Sequence, residues 1–372
     1  MHIFTFVLVP LTAFVIAYKL IPVIIQLALE RSLVDIPTGR KQHKAPTPAL
    51  GGVAIFIGML SSFCLWADFS QVAELQFTIL SMFLLFFVGL KDDLSEINAN
   101  HKFLIQIGLA FLISIGGLRI RSLHGLFGIE ELPIVFQFVI TMTFIVGLTN
   151  AYNMIDGIDG LAGGIALIAS LILGTALFIM EDFVYGTFAL ALAGSLVGFL
   201  CFNFSPAKIF MGDTGSLSIG VLLVVFCIRF LESSDALAGF SAINSFAPVL
   251  VFSVLVVPLL DVVQVIITRK MAGNPIFTPD RNHLHHLLLK VGLSHKQAAF
   301  SLYGITIFCT AITLICLLLE LPMTMVFSLL IGTLVAGIIG LRRNIAQQID
   351  APQHNAAYLH KQVEYSPIAK AG

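Results

Sequence analysis

Polar segments rich in Asp, Asn, His and Gly separate the long apolar runs of this sequence, and they carry the side chains that could do chemistry. Asp92 and Asp93 are adjacent carboxylates at the end of one run, and Asp213 stands just before another. Mg²⁺ sites typically combine one or two protein carboxylates with phosphate oxygens. We therefore interpret Asp92, Asp93 and Asp213 as ligands for Mg²⁺ on a nucleotide diphosphate, with Mn²⁺ as an alternative metal. The competing interpretation is a solvated acidic turn.

In a second polar segment, Asn and Asp residues recur every three positions. Asn150, Asn153 and Asp156 are spaced to share one side of a helix or 3₁₀ turn, and Asp159 follows them. An amide side chain both donates and accepts hydrogen bonds, which suits the edge of a uracil or a sugar. The two carboxylates could hold a metal or direct a proton. The alternative is an ordinary helix start with Asp159 as its N-cap.

Three histidines lie within four residues, at His283, His285 and His286. The surrounding pattern predicts a short amphipathic helix with Asp280 as N-cap and Gly292 as its stop. At helical spacing His283 and His286 share a face, whereas His285 points elsewhere. Histidines beside phosphates can donate hydrogen bonds or protons to a leaving group. The alternatives are interfacial residues and a zinc site, although no further ligand stands at a usual zinc spacing.

Two other segments could bind anions. If Thr214 or Ser216 caps the helix that follows, the N–H groups at its start would attract an anion such as pyrophosphate. Lys44 stands in a Pro- and Gly-containing segment and could pair with phosphates, as could Lys102 at the opening of the next apolar run. For the segment that contains Lys44, the alternative is anchoring by positive charge at a membrane surface, together with a turn.

The elements that must position these residues are membrane helices. The 372 residues are 58% hydrophobic and 11% charged, against about 25% charged in soluble domains. A soluble protein of this size would expose too much apolar surface, so we predict an all-α, polytopic transmembrane bundle. A net charge of −1 indicates no nucleic-acid partner. Eleven runs are predicted to span: 3–29, 50–67, 75–90, 103–120, 133–149, 161–180, 183–202, 215–231, 247–268, 299–319 and 322–341.

The distribution of Lys and Arg predicts the orientation. With the N-terminus outside and the C-terminus inside, most of the 20 basic residues fall on the cytoplasmic side. We expect a catalytic membrane domain over 1–341, at the cytoplasmic (inner) membrane, followed by a loosely ordered cytoplasmic tail, 342–372. The active site would form from five cytoplasmic loops, 31–50, 91–102, 150–160, 203–216 and 269–298.

Taken together, these motifs resemble the signatures of a known enzyme superfamily. The segments 46–52, 91–93, 153–160, 210–216 and 283–286 are similar to the motifs of the polyprenyl-phosphate N-acetylhexosamine-1-phosphate transferases, in the same order. The branch that takes a muramoyl pentapeptide carries three consecutive histidines. His-Leu-His-His at 283–286 is more similar to the branch that takes UDP-N-acetylglucosamine and starts O-antigens, enterobacterial common antigen and teichoic acids.

The resemblance implies a reaction and a set of roles. UDP-N-acetylglucosamine and undecaprenyl phosphate, the expected partners, would give undecaprenyl-diphosphate-N-acetylglucosamine and UMP. Asp92 or Asp93 would deprotonate or orient the lipid phosphate. From geometry we further expect the lipid phosphate to meet Lys44, Lys102 or Lys208 at a groove between helices that is open to the bilayer at the cytoplasmic leaflet. Arg269, Arg281 and the histidines would contact phosphates or the sugar, and Asn150, Asn153, Asp156 and Asp159 would bind nucleotide or metal.

Several alternatives stay open at this point. The same chemistry could use another UDP-N-acetyl sugar, a secondary transporter is the rival from a different class, and a homo-oligomer is neither required nor excluded. Asp261 is an acid inside a predicted span, after Pro258. An ionisable residue there is functional by default, and we expect it either to act in catalysis or to hold Arg269 or the neighbouring loops in place.

Overall fold

The chain is described here by a computed structural model, which covers residues 2–34, 46–68, 75–236, 241–271, 273 and 283–364. Its described part is helical and contains no β-sheet, as predicted; Ser122 and Glu131 form an isolated bridge. The helices are α1 (His2–Glu30), α2 (Gly51–Trp66), α3 (Leu75–Leu94), α4 (Ala99–Ile115), α5 (Ile134–Ile155), α6 (Leu161–Ile179), α7 (Phe183–Asn203), α8 (Gly212–Ala236), α9 (Ser241–Val254), α10 (Val256–Met271), α11 (Leu284–Lys290), α12 (His295–Leu318) and α13 (Met323–Glu364).

The described helices confirm a polytopic membrane protein. Eight of them are long and apolar enough to cross a bilayer, and the count is nine if α9 and α10, which meet at a 75° bend, form one broken span. Two of the eleven predicted spans, 50–67 and 103–120, correspond to the shorter helices α2 and α4, of 16 and 17 residues. A helix of that length rises about 24–26 Å, less than the roughly 30 Å hydrocarbon core.

The centre of the bundle is formed by α7 and α8. Their apolar segments are 89% and 94% buried, whereas the corresponding segment of α13 is 11% buried. Helices α1, α2 and α6 pack on α7, while α3 and α5 pack on α8. The outer helices expose large apolar side chains such as Phe4, Phe136 and Phe308. Apolar side chains facing outward on a packed bundle are what a lipid environment requires.

Several predicted boundaries are wrong. Helix α3 continues to Leu94 and α5 to Ile155, so Asp92, Asp93, Asn150 and Asn153 lie on helices rather than in loops. Hydropathy ends a span at the first polar residues, but the backbone remains helical because these half-buried polar side chains find hydrogen-bond partners. Helix α13 also continues to Glu364, so residues 342–364 of the predicted tail are helical. That segment is rich in Ala and Gln, which favour helix without any apolar period.

The ends of the helices form two polar regions. Junctions α3–α4, α5–α6 and α7–α8 meet at one end of the bundle, joined by hydrogen bonds described below. At the other end, Arg229 pairs with Asp182 at 2.5 Å, and Arg121 pairs with Glu232 at 3.2 Å. The chemistry-bearing residues selected from the sequence therefore lie at the first end.

Close backbone contact fixes α3 against the start of α8. A Cβ atom built on Gly89 of α3 would lie 2.4 Å from the backbone oxygen of Asp213, and one on Gly52 of α2 would lie 2.2 Å from the backbone nitrogen of Gly215. Backbone atoms cannot move aside as a flexible side chain can. Glycine at these two positions therefore sets the distance between α8 and its neighbours.

We predict that Gly89→Ala lowers the free energy of unfolding by about 1–3 kcal/mol, because the added methyl overpacks a helix contact. The matched control is Gly147→Ala on α5, where no atom of the described residues lies within 4 Å of the added Cβ. Thermal unfolding of the detergent-solubilised protein measures both. Equal melting temperatures for the two variants would contradict the close packing of α3 on α8.

Candidate active site

One lysine joins two carboxylates where α3, α4 and α8 meet. Lys102 Nζ donates to Asp92 Oδ2 at 2.9 Å and to Asp213 Oδ2 at 2.8 Å. These residues are 10 and 111 positions apart from Lys102 in the chain, so the contact exists only in the folded bundle. Asp92 also accepts the backbone N–H of Ile97 at 2.7 Å. The site therefore has two acidic groups converging on a single cation.

Asp93 has different contacts from its neighbour Asp92. Its carboxylate accepts the backbone N–H groups of Asp213 and Thr214, at 2.8 and 2.9 Å, and the Thr214 hydroxyl at 2.5 Å. Helix α8 begins at Gly212, which has a φ of +71°. Asp93 thus supplies from α3 the cap that α8 lacks within its own sequence. The expectation that Thr214 or Ser216 caps this helix is wrong, since both lie inside its first turns.

The α5–α6 junction contributes the amides and two further acids. Ser216 Oγ donates to Asn153 Oδ1 at 2.6 Å, which ties the end of α5 to α8. Asn150 Nδ2 donates to Gln106 Oε1 at 2.5 Å and to the Val146 oxygen at 2.7 Å. Asn153 therefore belongs with the acidic site, whereas Asn150 lies one helical turn deeper and ties α5 to α4.

Asp156 and Asp159 sit in contrasting surroundings. Burial, together with the charges of Asp213, Asp93 and Asp159, raises the pKa of Asp156 to about 7. Burial also acts to raise the pKa of Asp159, but a hydrogen bond and positive charge from His295 outweigh it and lower that pKa. The Asp159 carboxylate also accepts the Ala207 N–H at 3.2 Å. Asp159 is not an N-cap, because Gly160 holds that position on α6.

Asn203 is a positioning residue that the sequence analysis missed. Its side chain accepts the Gly160 N–H at 2.9 Å and donates to the Ile209 oxygen at 2.8 Å. One buried amide thus holds the α5–α6 turn against the α7–α8 loop. The sequence indicates this role only by the position of Asn203, an amide residue at the end of an apolar run.

The three histidines form one cluster of rings. His283 and His285 stack at 5.6 Å with 10° between planes, and His285 and His286 lie 4.2 Å apart. The expectation that His285 points elsewhere is wrong, because His283 is extended at the N-cap of α11 and helical spacing does not apply to it. Helix α11 begins at Leu284 with His283 at its N-cap, and Asp280, the predicted N-cap, lies outside the described residues. Gly292, with a φ of +96°, follows the helix end as predicted.

His285 is buried against the α5–α6 turn. A Cβ on Gly157 would lie 2.3 Å from its Nε2, and among the described residues neither ring nitrogen has a hydrogen-bond partner. Burial and, to a smaller extent, the charges of the neighbouring histidines together lower the pKa of His285 to about 3. A neutral imidazole in this position can accept or donate a hydrogen bond, but it holds no ionisable proton near neutral pH.

The predicted basic residues are distributed unevenly. Lys102 lies at the centre of the acidic site, and Lys208 is exposed on the α7–α8 loop. Arg269 is buried on the last turn of α10. Lys44 and Arg281 lie outside the described residues, so their predicted contacts with substrate stay predictions.

The carboxylates of the site could hold Mg²⁺ only together with other ligands. Within the described part of the chain, no group of three or more His, Cys, Asp or Glu side chains is arranged to hold a metal. Mg²⁺ nevertheless needs only one or two carboxylates when phosphate oxygens and water complete its shell. Asp92 and Asp213 already share one cation, so the residues fit a metal that arrives with a diphosphate.

Comparison with known proteins assigns the family. Residues 75–231 match Glycosyl transferase family 4. The chain is 32% identical over 324 residues to the probable undecaprenyl-phosphate N-acetylglucosaminyl 1-phosphate transferase of Bacillus subtilis (strain 168), covering 86% of this chain and 88% of that protein. It is 33% identical over 335 residues, and 82% of each chain, to the decaprenyl-phosphate N-acetylglucosaminephosphotransferase of Mycolicibacterium smegmatis (strain ATCC 700084 / mc(2)155).

A third relative comes from a different group of bacteria. The undecaprenyl-phosphate alpha-N-acetylglucosaminyl 1-phosphate transferase of Yersinia pestis is 29% identical over 280 residues, or 73% of this chain and 74% of that protein. The chain therefore belongs to Glycosyl transferase family 4, the polyprenyl-phosphate N-acetylhexosamine-1-phosphate transferases, and it is a phosphoglycosyl transferase. The resemblance stated from the motifs is confirmed.

The raised pKa of Asp156 predicts a pH dependence of stability. Asp156 ionises near pH 7 in the folded protein but near its ordinary pKa of 3.8 in the unfolded chain. The stability that its protonated carboxyl contributes is therefore lost as the pH rises from the unfolded pKa through the folded pKa. We predict that Asp156→Asn removes this loss, so that the variant gains stability relative to wild type between pH 5 and pH 7.5, by up to a few kcal/mol.

Melting temperatures at the two pH values test this prediction, with Asp159→Asn as the control. The pKa of Asp159 is lowered, so its carboxyl is ionised throughout the range, and its replacement should bring no gain at pH 7.5. A stability difference between Asp156→Asn and wild type that stays constant with pH would contradict the buried, proton-holding carboxyl.

Proposed function

We propose that this enzyme transfers N-acetylglucosamine-1-phosphate from UDP-N-acetylglucosamine to undecaprenyl phosphate, giving undecaprenyl-diphosphate-N-acetylglucosamine and UMP. The observation that carries the proposal is the convergence of Asp92 and Asp213 on Lys102 at a junction of three helices. The names of the relatives from Bacillus subtilis and Yersinia pestis support N-acetylglucosamine as the sugar. The product would begin a cell-surface polysaccharide such as an O-antigen, common antigen or teichoic acid.

The reaction needs charge neutralisation and positioning more than covalent chemistry. An oxygen of the lipid phosphate attacks the phosphorus that carries the sugar, the bond between the two phosphates breaks, and UMP leaves with the bonding electrons. Phosphoryl transfers of this kind are catalysed chiefly by placing groups in line and by stabilising the spread negative charge. Bound by Asp92 and Asp213, Mg²⁺ would act as a Lewis acid on the diphosphate oxygens.

The contacts of the side chains around Asp92 and Asp213 support a role for each of them in this reaction. Lys102 holds the two carboxylates together and is placed to turn its ammonium to a phosphate. The carboxylate oxygens of Asp93 accept hydrogen bonds from the backbone of α8, so Asp93 keeps Asp213 in place. These contacts favour a positioning role for Asp93 over its predicted roles as catalyst and metal ligand. Asn153, Asp156 and Asp159 would bind the nucleotide or accept a proton, beside the histidines.

The membrane arrangement is part of the proposal. We infer that α2 and α4 also cross the bilayer, giving eleven spans with the N-terminus outside, because the excess of Lys and Arg then lies in the cytoplasm. Local thinning of the bilayer around short helices makes such crossings inexpensive. The acidic site would face the cytoplasm, where UDP-sugars are made, and Lys208 would meet the lipid phosphate at the membrane surface. The membrane would be the cytoplasmic (inner) membrane.

A direct assay tests the function. Purified protein is given undecaprenyl phosphate, Mg²⁺ and a panel of labelled UDP-sugars, and UMP release is measured together with label in the lipid phase. We expect equal amounts of UMP and labelled lipid from UDP-N-acetylglucosamine. Asp92→Asn and Asp213→Asn should each lower kcat about 10²–10³-fold, because each removes charge stabilisation from the transition state.

Glu131→Gln is the matched control. Glu131 is exposed, and its backbone forms the isolated β-bridge with Ser122 near the opposite end of the bundle. Its kcat should equal that of wild type. If the enzyme transfers only from a different UDP-N-acetyl sugar, the proposed sugar substrate is wrong and the reaction class stands. Undiminished turnover in both aspartate variants, or substrate uptake into vesicles without release of UMP, would overturn the proposal.

A further inference from the structure

One buried carboxylate outside the acidic site holds the histidine cluster. Asp261 lies on α10, in the second half of the bent helix pair, and its relative exposure is 0%. Its Oδ2 lies 2.6 Å from His283 Nδ1, and its Oδ1 accepts the backbone N–H of Leu284 at 2.5 Å. A charge this deeply buried is tolerated only where partners compensate its lost hydration. Here both partners belong to the first residues of the histidine segment.

The two bonds determine the chemistry of the His283 ring. A carboxylate can only accept hydrogen bonds, so the proton of a neutral His283 must sit on Nδ1. The lone pair is then on Nε2, at the far edge of the ring from Asp261. The second bond, to the Leu284 N–H, fixes the backbone that carries the ring. Asp261 therefore controls both the position of His283 and which of its nitrogens carries the proton.

The cluster connects this pair to the site that the proposed reaction uses. The His283 ring stacks on His285, and His285 packs against Gly157 in the turn between Asp156 and Asp159. A displacement of His283 would thus change the packing beside both acids. From its position in the sequence, Asp261 was expected either to act in catalysis or to hold Arg269 or a neighbouring loop. Its observed partners lie in the histidine segment.

We propose that Asp261 is a positioning residue that holds His283 as its Nδ1–H tautomer, leaving Nε2 as a hydrogen-bond acceptor for the reaction. The consequence for turnover rests on the proposed function. The tautomer and the Asp261–His283 pairing do not, because they are properties of the enzyme without substrate. The two parts can therefore fail separately.

The first test needs no turnover. The protein is prepared with ¹⁵N-labelled histidine rings, and the His283 signals are assigned as those lost in His283→Gln. We expect ¹⁵N NMR to show a protonated Nδ1 and an unprotonated Nε2. In Asp261→Asn the amide has only one acceptor oxygen for two donors, so the ring should change to the Nε2–H form. A wild-type ring already in the Nε2–H form would overturn the proposal, even if Asp261→Asn fails to fold.

The second test is a double-mutant cycle in the sugar-phosphate transfer assay. Asp261→Asn should lower kcat about 100-fold while KM for both substrates changes less than about threefold, because the residue touches neither substrate. In a His283→Gln background the same substitution should change kcat less than about twofold. Equal losses in both backgrounds would mean that Asp261 does not act through His283 and would contradict the proposal.

Ser253→Ala serves as the control within the same bent helix pair. Ser253 is also fully buried and hydrogen-bonds Thr313 at 2.7 Å, away from the histidine segment. Its kcat should equal that of wild type and its KM should be unchanged. A loss of kcat in Ser253→Ala as large as that in Asp261→Asn would assign the effect to general disturbance of the helix pair. If no UDP-sugar supports transfer, the proposed function fails while the tautomer measurement still decides the pairing.

Discussion

The structure depends on a cation between two carboxylates at the end of a membrane bundle. Asp92 and Asp213 come from helices α3 and α8, and each would be costly at the edge of an apolar environment without a positive partner. Lys102 supplies that partner from α4. Gly89 lets the backbones of α3 and α8 come close enough for this contact, and Asp93 caps the start of α8. The same concentration of negative charge prepares the site to receive a metal-bound diphosphate.

The residues around this centre divide into those that carry charge and those that hold the loops. Asn203 joins the α5–α6 turn to the α7–α8 loop through two backbone groups. Asp261 joins α10 to the histidine segment in a similar way. Both side chains are buried, so water does not compete for their hydrogen bonds. Breaking these bonds would leave a buried polar group unpaired, which costs free energy. A site assembled from distant segments needs such connections to keep its geometry.

The sequence predicted the class of fold and the acidic residues well, for physical reasons. Long apolar runs leave few options besides membrane helices, and polar clusters at their ends indicated Asp92, Asp156 and Asp213. It could not show that Asp93 caps a helix 120 residues later, because that bond depends on packing between helices. It also misplaced the start of α11, since His283 is held extended by Asp261, a long-range contact that no local pattern contains.

The central claim is that Asp92 and Asp213 together bind the metal that accompanies the nucleotide. The most direct measurement is anomalous diffraction from crystals of the protein grown with Mn²⁺ and UDP. The account predicts one strong manganese peak within coordination distance, about 2–2.5 Å, of oxygens from both Asp92 and Asp213, with the Lys102 ammonium no longer between them. A manganese peak bound elsewhere in the protein, with Lys102 still bridging the two carboxylates, would contradict it.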